Sequence, residues 1–392
     1  MTPTERWLLP EGVEEALPRE ADWLEAARRR LLDRYRSWGY QLVMPPFIEY
    51  LESLLTGAGR DLDLQTFKLT DQLTGRLMGV RADMTPQVAR IDAHRLRREG
   101  PTRLCYLGTV LTTRPAGFGG TRSPLQVGCE LYGHAGPESE REVLSLMLET
   151  LALCGVGPVH VDLGHVGIFR ALVAAAGLDT EDTAQLFDML QRKAVPEIEP
   201  FLAGLGLAEP QRAALAALAL LGGDATVLDR AHGLFTAAGA DLQDHLDHLR
   251  RLGEAIGARF PDVAVRYDLA EARGYRYENG LVFAAYVPGE GQEVARGGRY
   301  DGIGRAFGRA RPAVGFSTDL KTLMRLSDAE LAPAPRRICA PDDDDPALAA
   351  AVARLRDAGE VVVSQLGADT AAGLDCSHRL VFRNDQWIVE EL

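Results

Sequence analysis

Three observations predict a mixed, largely antiparallel α+β fold for this 392-residue chain. Strand-like runs recur in hairpin-spaced pairs, helices with apolar spacings of three and four interrupt them, and no strand leads into G-x-x-x-x-G-K-[ST] or G-x-G-x-x-G, the phosphate cradles of doubly wound folds.

The elements follow in order. PREADWLEAARRRLLDRYRSW places Leu24, Ala27, Leu31, Tyr35 and Trp38 on one helical face, and Gly39 ends the helix. GYQLVMPPFIEY holds a short extended run stopped by Pro45 and Pro46. A polar loop, TGAGRDLDLQ, precedes two strands, TFKLTD and RLMGVRAD, joined by the turn QLTG. DMTPQVARIDAHRL opens a second helix, with Thr85 as its cap and Pro86 in its first turn. CYLGTVL and PLQVGCELYG form strands around a loop bearing Gly and Arg. PESEREVLSLMLETLALCG is a third helix with an acidic first turn, VHVDLGH a strand, and GHVGIFRALVAAAG a fourth helix.

From about residue 178 to 258 the sequence turns to alanine and leucine in helical spacing and reads as a helical insertion. Strands resume in VAVRYDLAEA, GLVFAAYVPGEGQEVARGG and AVGFSTDLKTLMRL, with PGEG as a turn. LAPAPRR is a linker. Two domains result: residues 1–330, carrying the insertion, and a small α/β domain over residues 336–392. The latter contains a DDDD loop expected to be solvated and a helix from Pro346 to Ala358.

Composition excludes several function classes. With 46% hydrophobic and 25% charged residues the chain is globular. A net charge of −13 opposes a wide nucleic-acid footprint. Five scattered cysteines without C-x-x-C argue against a disulfide framework or a thiolate metal cage. Neither a secretory leader nor an apolar run long enough to cross a membrane is present, so the expectation is a soluble cytoplasmic protein. His245 and His248 lie one helical turn apart without a third ligand and read as an exposed polar face, not a metal site. His160 and His165 read as structural.

Four clusters combine charge with glycine: VRADMTP, QVGCE, ARGYRYENG and ARGGRYDGIG. Asp83, Thr85, Gln126 and Glu130 supply acceptors and neutral dipoles from neighbouring strand ends, while Arg273 and Tyr277 supply donors. Such a set suits a small zwitterion with a second basic group. Asp83, Thr85 and Gln126 take the α-ammonium, Glu130 accepts from a side-chain N–H, and Arg273 pairs with the carboxylate. Gly128 keeps the pocket floor shallow.

VRADMTPQVAR, YLGTVLTTRPAGFGGTRSPLQVGCELYG, EARGYRYENGLVF, ARGGRYDGIG and VGFSTDLKTL, in that order and spacing, resemble the signature segments of histidyl-tRNA synthetase. GYQLVMPPFIEY is similar to the dimer-forming first motif of class II synthetases, with Pro46 at its defining proline. The resemblance covers roughly residues 5 to 325. It implies a class II aminoacyl-tRNA synthetase-like core, an antiparallel sheet flanked by helices, dimeric through the region near Pro46. It also implies histidine-binding roles for Asp83 (glutamate in the synthetase), Thr85, Gln126, Glu130, Arg273 and Tyr277. Glu278 departs from the family, where a second tyrosine reaches the imidazole.

The nucleotide positions depart further. F-R-x-E of the second motif falls on Leu111, Thr112, Thr113 and Arg114, and the end of the third motif falls on Asp319, Leu320, Lys321 and Thr322. Both phosphate-gripping arginines are therefore threonines, and neutral hydroxyls cannot replace them. The anticodon-binding domain is also reduced to residues 336–392.

A core that keeps the amino-acid pocket but loses ATP chemistry and tRNA reading resembles the regulatory subunit of ATP phosphoribosyltransferase. That resemblance implies a noncatalytic role at the first step of L-histidine biosynthesis. It further implies L-histidine as ligand with no cofactor or metal, a short-form catalytic subunit as partner, and no tRNA or membrane partner. The alternative is a histidine-activating synthetase or amino-acid ligase with residual ATP chemistry; a further rival is a nucleic-acid-binding module.

Overall fold

The computed structural model describes residues 7–56, 60–115, 120–271, 278–332, 335–366 and 373–392, with residues 60 and 61 as backbone alone. It divides into two compact units, Met1–Leu331 and Ala332–Leu392.

The first unit opens with α1 (Pro18–Ser37). Pro18 sits in its first turn, Glu20 reaches back to the Leu17 N–H at 3.0 Å, and Leu24, Ala27, Leu31 and Tyr35 form its buried face. Gly39, at φ +85°, turns the chain into β1 (Gln41–Leu42). β2 (Ile48–Tyr50), α2 (Leu51–Leu54), α3 (Arg60–Gln65), β3 (Lys68–Thr70) and β4 (Leu77–Val80) follow. β2, β4 and β3 make a small antiparallel sheet in that order. The segment expected to be a polar loop thus contains α3, a helix too short for a periodic signal.

α4 (Thr85–Arg90) runs unbroken into a π-helical segment, Ile91–Leu96, that no sequence pattern announced. Then come β5 (Thr102–Thr109), β6 (Leu125–Tyr132), α5 (Pro137–Leu153), β7 (His160–His165) and α6 (Val166–Ala176). The insertion comprises α7 (Thr180–Gln191), α8 (Val195–Gly204), α9 (Glu209–Leu218), the two-residue β8 (Gly222–Gly223), α10 (Thr226–Ala237) and α11 (Gln243–Arg259). Asp179 caps α7 by accepting the Glu181 and Asp182 N–H groups, each at 2.9 Å. Asp179→Ala is therefore expected to cost about 1 kcal/mol. A urea denaturation midpoint that stays put would show that this cap contributes nothing.

β9 (Ala264–Asp268), β10 (Leu281–Tyr286), β11 (Ala295–Arg299), a 3₁₀ segment (Ile303–Phe307), β12 (Ala313–Asp319) and α12 (Leu320–Leu326) complete the unit. Its nine-stranded sheet has the order β1-β5-β6-β12-β11-β10-β7-β9-β8. Pairing is antiparallel except for β1 with β5 and β7 with β9. Strand alternation divides the sheet cleanly. Cys105, Val127, Cys129, Leu131 and Phe316 face α1, α5 and the insertion in the main core. Leu104, Tyr106 and Tyr132 face the other way, toward α4 and the 3₁₀ segment.

The second unit is described by itself: β13 (Arg337–Ala340), α13 (Pro346–Asp357), β14 (Val361–Ser364), β15 (His378–Arg383) and β16 (Gln386–Glu391). The sheet order is β14-β13-β15-β16, and Leu348 and Val352 of α13 pack on Ile338, Val362 and Leu380. The DDDD run is not simply a solvated loop. Asp345 caps α13 by accepting the Ala347 N–H at 2.9 Å and also takes the Trp387 indole N–H at 2.7 Å. Among the described residues no helix is long and apolar enough to cross a membrane.

Candidate amino-acid site

The sheet face turned away from α5 carries the predicted acceptors. Gly108 and Gln126 are register partners across β5 and β6, as are Tyr106 and Gly128, and Gly315 of β12 lies opposite Glu130. One strand face thus presents Gln126, Gly128 and Glu130 in succession, because side chains alternate along a strand. At Gly128 a Cβ would lie 2.4 Å from the Phe316 carbonyl oxygen and 2.5 Å from the Tyr106 hydroxyl. The glycine makes room for Tyr106 as well as for a ligand.

Glu130 is 1% exposed. Its Oε1 accepts the Tyr106 hydroxyl at 3.0 Å and the Thr85 hydroxyl at 3.1 Å, while its Oε2 is buried without a hydrogen-bond partner among the described residues. A Cβ placed on Gly315 would stand 1.6 Å from that Oε2 and 2.3 Å from the Tyr300 hydroxyl, which is itself buried and has no partner among the described residues. Burial pushes the Glu130 carboxyl well above the usual carboxylate range, and the charge of Asp83 adds to this against the hydrogen bonds that lower it. A buried acceptor left open in this way is ready for an N–H from a ligand.

Gln126 bridges the other side. Its carbonyl oxygen accepts the Met84 N–H at 2.9 Å, and its Nε2 donates to Asp83 Oδ1 at 2.7 Å. Asp83 Oδ1 also accepts the Thr85 N–H at 3.1 Å. Thr85 therefore does not cap α4: it is the first helical residue, and its hydroxyl is spent on Glu130. The structure brings Asp83, Thr85, Gln126 and Glu130 together; Arg273 and Tyr277 lie outside the described residues. Glu278 hangs its carboxylate over the same face, with Oε1 3.1 Å from the Cβ position of Gly298, and its carbonyl accepts Arg170 Nη2 at 2.7 Å. Tyr106, Tyr132 and Tyr300 had been missed. Period-two alternation from Gln126 points to Tyr132 on the same face, whereas Tyr106 and Tyr300 needed the strand register.

The positions matched to nucleotide-gripping arginines are neutral. The Thr112 hydroxyl is buried without a partner among the described residues, and its carbonyl accepts Arg122 Nε at 3.1 Å. Thr322 donates its hydroxyl to Asp319 Oδ2 at 2.8 Å, completing the cap of α12. Lys321 is held by the Ser123 hydroxyl at 3.2 Å and the Glu14 carbonyl at 3.5 Å.

The histidines correct another expectation. His245 and His248 do not form an exposed face. The His245 ring stacks on His165 at 4.2 Å, and His248 Nε2 lies 2.6 Å from Glu140 Oε2, beside the Arg299–Glu140 pair. Burial, reinforced by His245 and His248, lowers the His165 pKa to about 3, which keeps that ring neutral. Among the described residues no group of three His, Cys, Asp or Glu side chains is placed to hold a metal ion.

Comparison with known proteins fits this geometry. The sequence pattern of the family described as Histidyl-tRNA synthetase matches residues 12–323, and that of the ATP phosphoribosyltransferase subunit HisZ C-terminal domain matches residues 335–390. A protein of Thioalkalivibrio sulfidiphilus called ATP phosphoribosyltransferase regulatory subunit is 62% identical, with 100% of each chain covered. Its namesake from Ectopseudomonas mendocina is 54% identical over 100% of each chain. Among solved structures, an ATP phosphoribosyltransferase regulatory subunit/histidyl-tRNA synthetase from Bacillus halodurans superposes with a TM-score of 0.82 at 27% identity, covering 94% of this chain and 96% of that one. The chain belongs to the ATP phosphoribosyltransferase regulatory subunit family, built on a class II histidyl-tRNA synthetase-like core.

Proposed function

We propose that the chain is a noncatalytic, histidine-sensing regulatory subunit of ATP phosphoribosyltransferase, acting at the first step of L-histidine biosynthesis. It activates the short-form catalytic subunit and carries feedback control by histidine. The carrying observation is Glu130: a fully buried carboxyl with one satisfied and one open oxygen, beside Asp83 and Gln126, suits an imidazole N–H next to an α-ammonium. Neutral Thr112 and Thr322 in place of phosphate-binding arginines support the loss of aminoacylation chemistry.

Self-association belongs to the same reading. Leu42, Met44, Phe47 and Ile48 around Pro46 are each more than 40% exposed, at the edge strand of the large sheet and beside the small one. An apolar edge of this kind is covered in a stable protein, here by a second copy. The five free cysteines fit a reducing compartment such as the cytoplasm.

The experiment is copurification with a short-form ATP phosphoribosyltransferase, followed by assay of the complex with and without histidine. Activation that histidine reverses is expected, together with no histidine-dependent ATP–pyrophosphate exchange by the chain alone. Robust exchange would instead establish a histidine-activating enzyme.

A further inference from the structure

Both walls of the pocket lead into one outer surface. Thr85, whose hydroxyl holds Glu130, opens α4, and that helix continues through the π-helical segment to Arg97. Tyr300, opposite, is followed at once by the 3₁₀ segment. The two segments share a small core through Ala93, Ile303 and Phe307. His94 meets the Phe307 ring edge-on at 6.5 Å, and Arg309 Nη2 donates to the Arg98 carbonyl at 2.7 Å.

The outside of this pair is basic. His94, Arg95, Arg97, Arg98 and Arg305 are exposed, and Arg309 is half-buried among them. Arg98 reaches the neutral Gln41 amide at 2.7 Å, and Arg309 reaches the exposed Glu99 at 3.6 Å. Arg95, Arg97 and Arg305 make no ion pair among the described residues. The buried carboxylate nearby, Asp92, is already taken by Arg311 at 3.0 Å. Arg97 also stands at φ +50°, a left-handed helix end that glycine or asparagine occupies at lower cost. The sequence keeps a cation there, on a chain whose net charge is −13.

We propose that this patch is the docking surface for an acidic face of the catalytic partner, an inference that rests on the regulatory-subunit reading above. A protein face fits better than nucleic acid. The overall negative charge repels a long polyanion, and the patch offers no exposed Phe, Tyr or Trp on which bases would stack. Placement gives the surface its regulatory value. Histidine touching Thr85 and Tyr300 and a partner touching the outer arginines bias the same two packed segments, so each changes the affinity of the other.

The test is calorimetric titration of the short-form ATP phosphoribosyltransferase into the full chain at low and physiological salt, with its activation assayed in parallel. Wild type is expected to bind more weakly as salt rises. The Arg95→Glu/Arg97→Glu/Arg305→Glu variant is expected to lose roughly tenfold or more in association while keeping histidine binding. The milder Arg95→Gln/Arg305→Gln variant is expected to fall between, and Arg230→Glu/Arg251→Glu on the insertion to match wild type. A triple variant that assembles and activates like wild type overturns the docking surface and leaves the regulatory reading standing. Wild-type chain that neither binds nor activates the partner sinks both. Transfer-RNA binding that disappears in the triple variant, with the protein complex unaffected, assigns the patch to nucleic acid and overturns the proposal.

Discussion

Replacing Arg299 by leucine is expected to cost about 3–5 kcal/mol of stability, because it strips a buried carboxylate of its cation. Arg299 is 6% exposed, and its Nε donates to Glu140 Oε1 at 2.5 Å. The rest of the guanidinium serves the Ser139 hydroxyl at 3.1 Å and the carbonyls of His134 and Gly136 at 3.3 Å. Burial alone would raise the Glu140 carboxyl, but His248 and Arg299 together hold it below its usual value. Without Arg299, His248 Nε2 at 2.6 Å is the one remaining ion-pair partner of that group among the described residues. The loss should also disturb the chain beside Glu278, since Arg299 Nη1 donates to Asp301 Oδ1 at 3.3 Å and Asp301 in turn accepts the Asn279 side-chain amide at 3.1 Å. Thermal melts and histidine titrations of Arg299→Leu, Glu140→Leu and the double variant form a cycle. A double variant no more stable than Arg299→Leu would mean that the stranded Glu140 charge is not the cause.

How much of this was legible in sequence follows from how far each feature depends on distant chain. The sheet strands and α1 announce themselves by local period, and the Gln126-Gly128-Glu130 face follows from alternation alone. The histidine cluster does not, because the His165 ring is covered only once α11, far along the chain, folds back onto β7. Arg299 was grouped with the glycine-rich site segments, yet it points to the helix side and Gly298 to the pocket side, a distinction that register supplies. Thr85 carries a capping residue type at a helix start, but a buried carboxylate competed for its hydroxyl and won. The π-helical segment has no compositional signature, and it is the element that joins the pocket to the basic surface.

Glu130→Gln is expected to do two opposite things. Histidine affinity should fall roughly 10- to 100-fold, because the carboxyl ionises as the imidazole N–H docks on Oε2 and glutamine cannot become that charged acceptor. The empty chain should at the same time become more stable, by about 1–3 kcal/mol, because an amide tolerates burial that an open carboxylate oxygen does not. The pH dependence fixes the sign. Burial raises the folded-state pKa of Glu130 well above the ordinary carboxyl value of 4.5, so the protonated form is the one the fold favours. Its contribution is fully present below about 4.5 and is lost as pH rises through the folded value, while glutamine does not titrate. The stability gap between variant and wild type should therefore widen from acid toward neutral pH and close again on acidification. Bound histidine should narrow the gap at neutral pH, since its N–H supplies the partner that Oε2 lacks and stabilises wild type more than the variant. Melting curves at several pH values, with and without histidine, check both halves. Unchanged histidine affinity would remove Glu130 from the site, and a gap independent of pH would mean that its carboxyl is not held in the raised state that burial dictates.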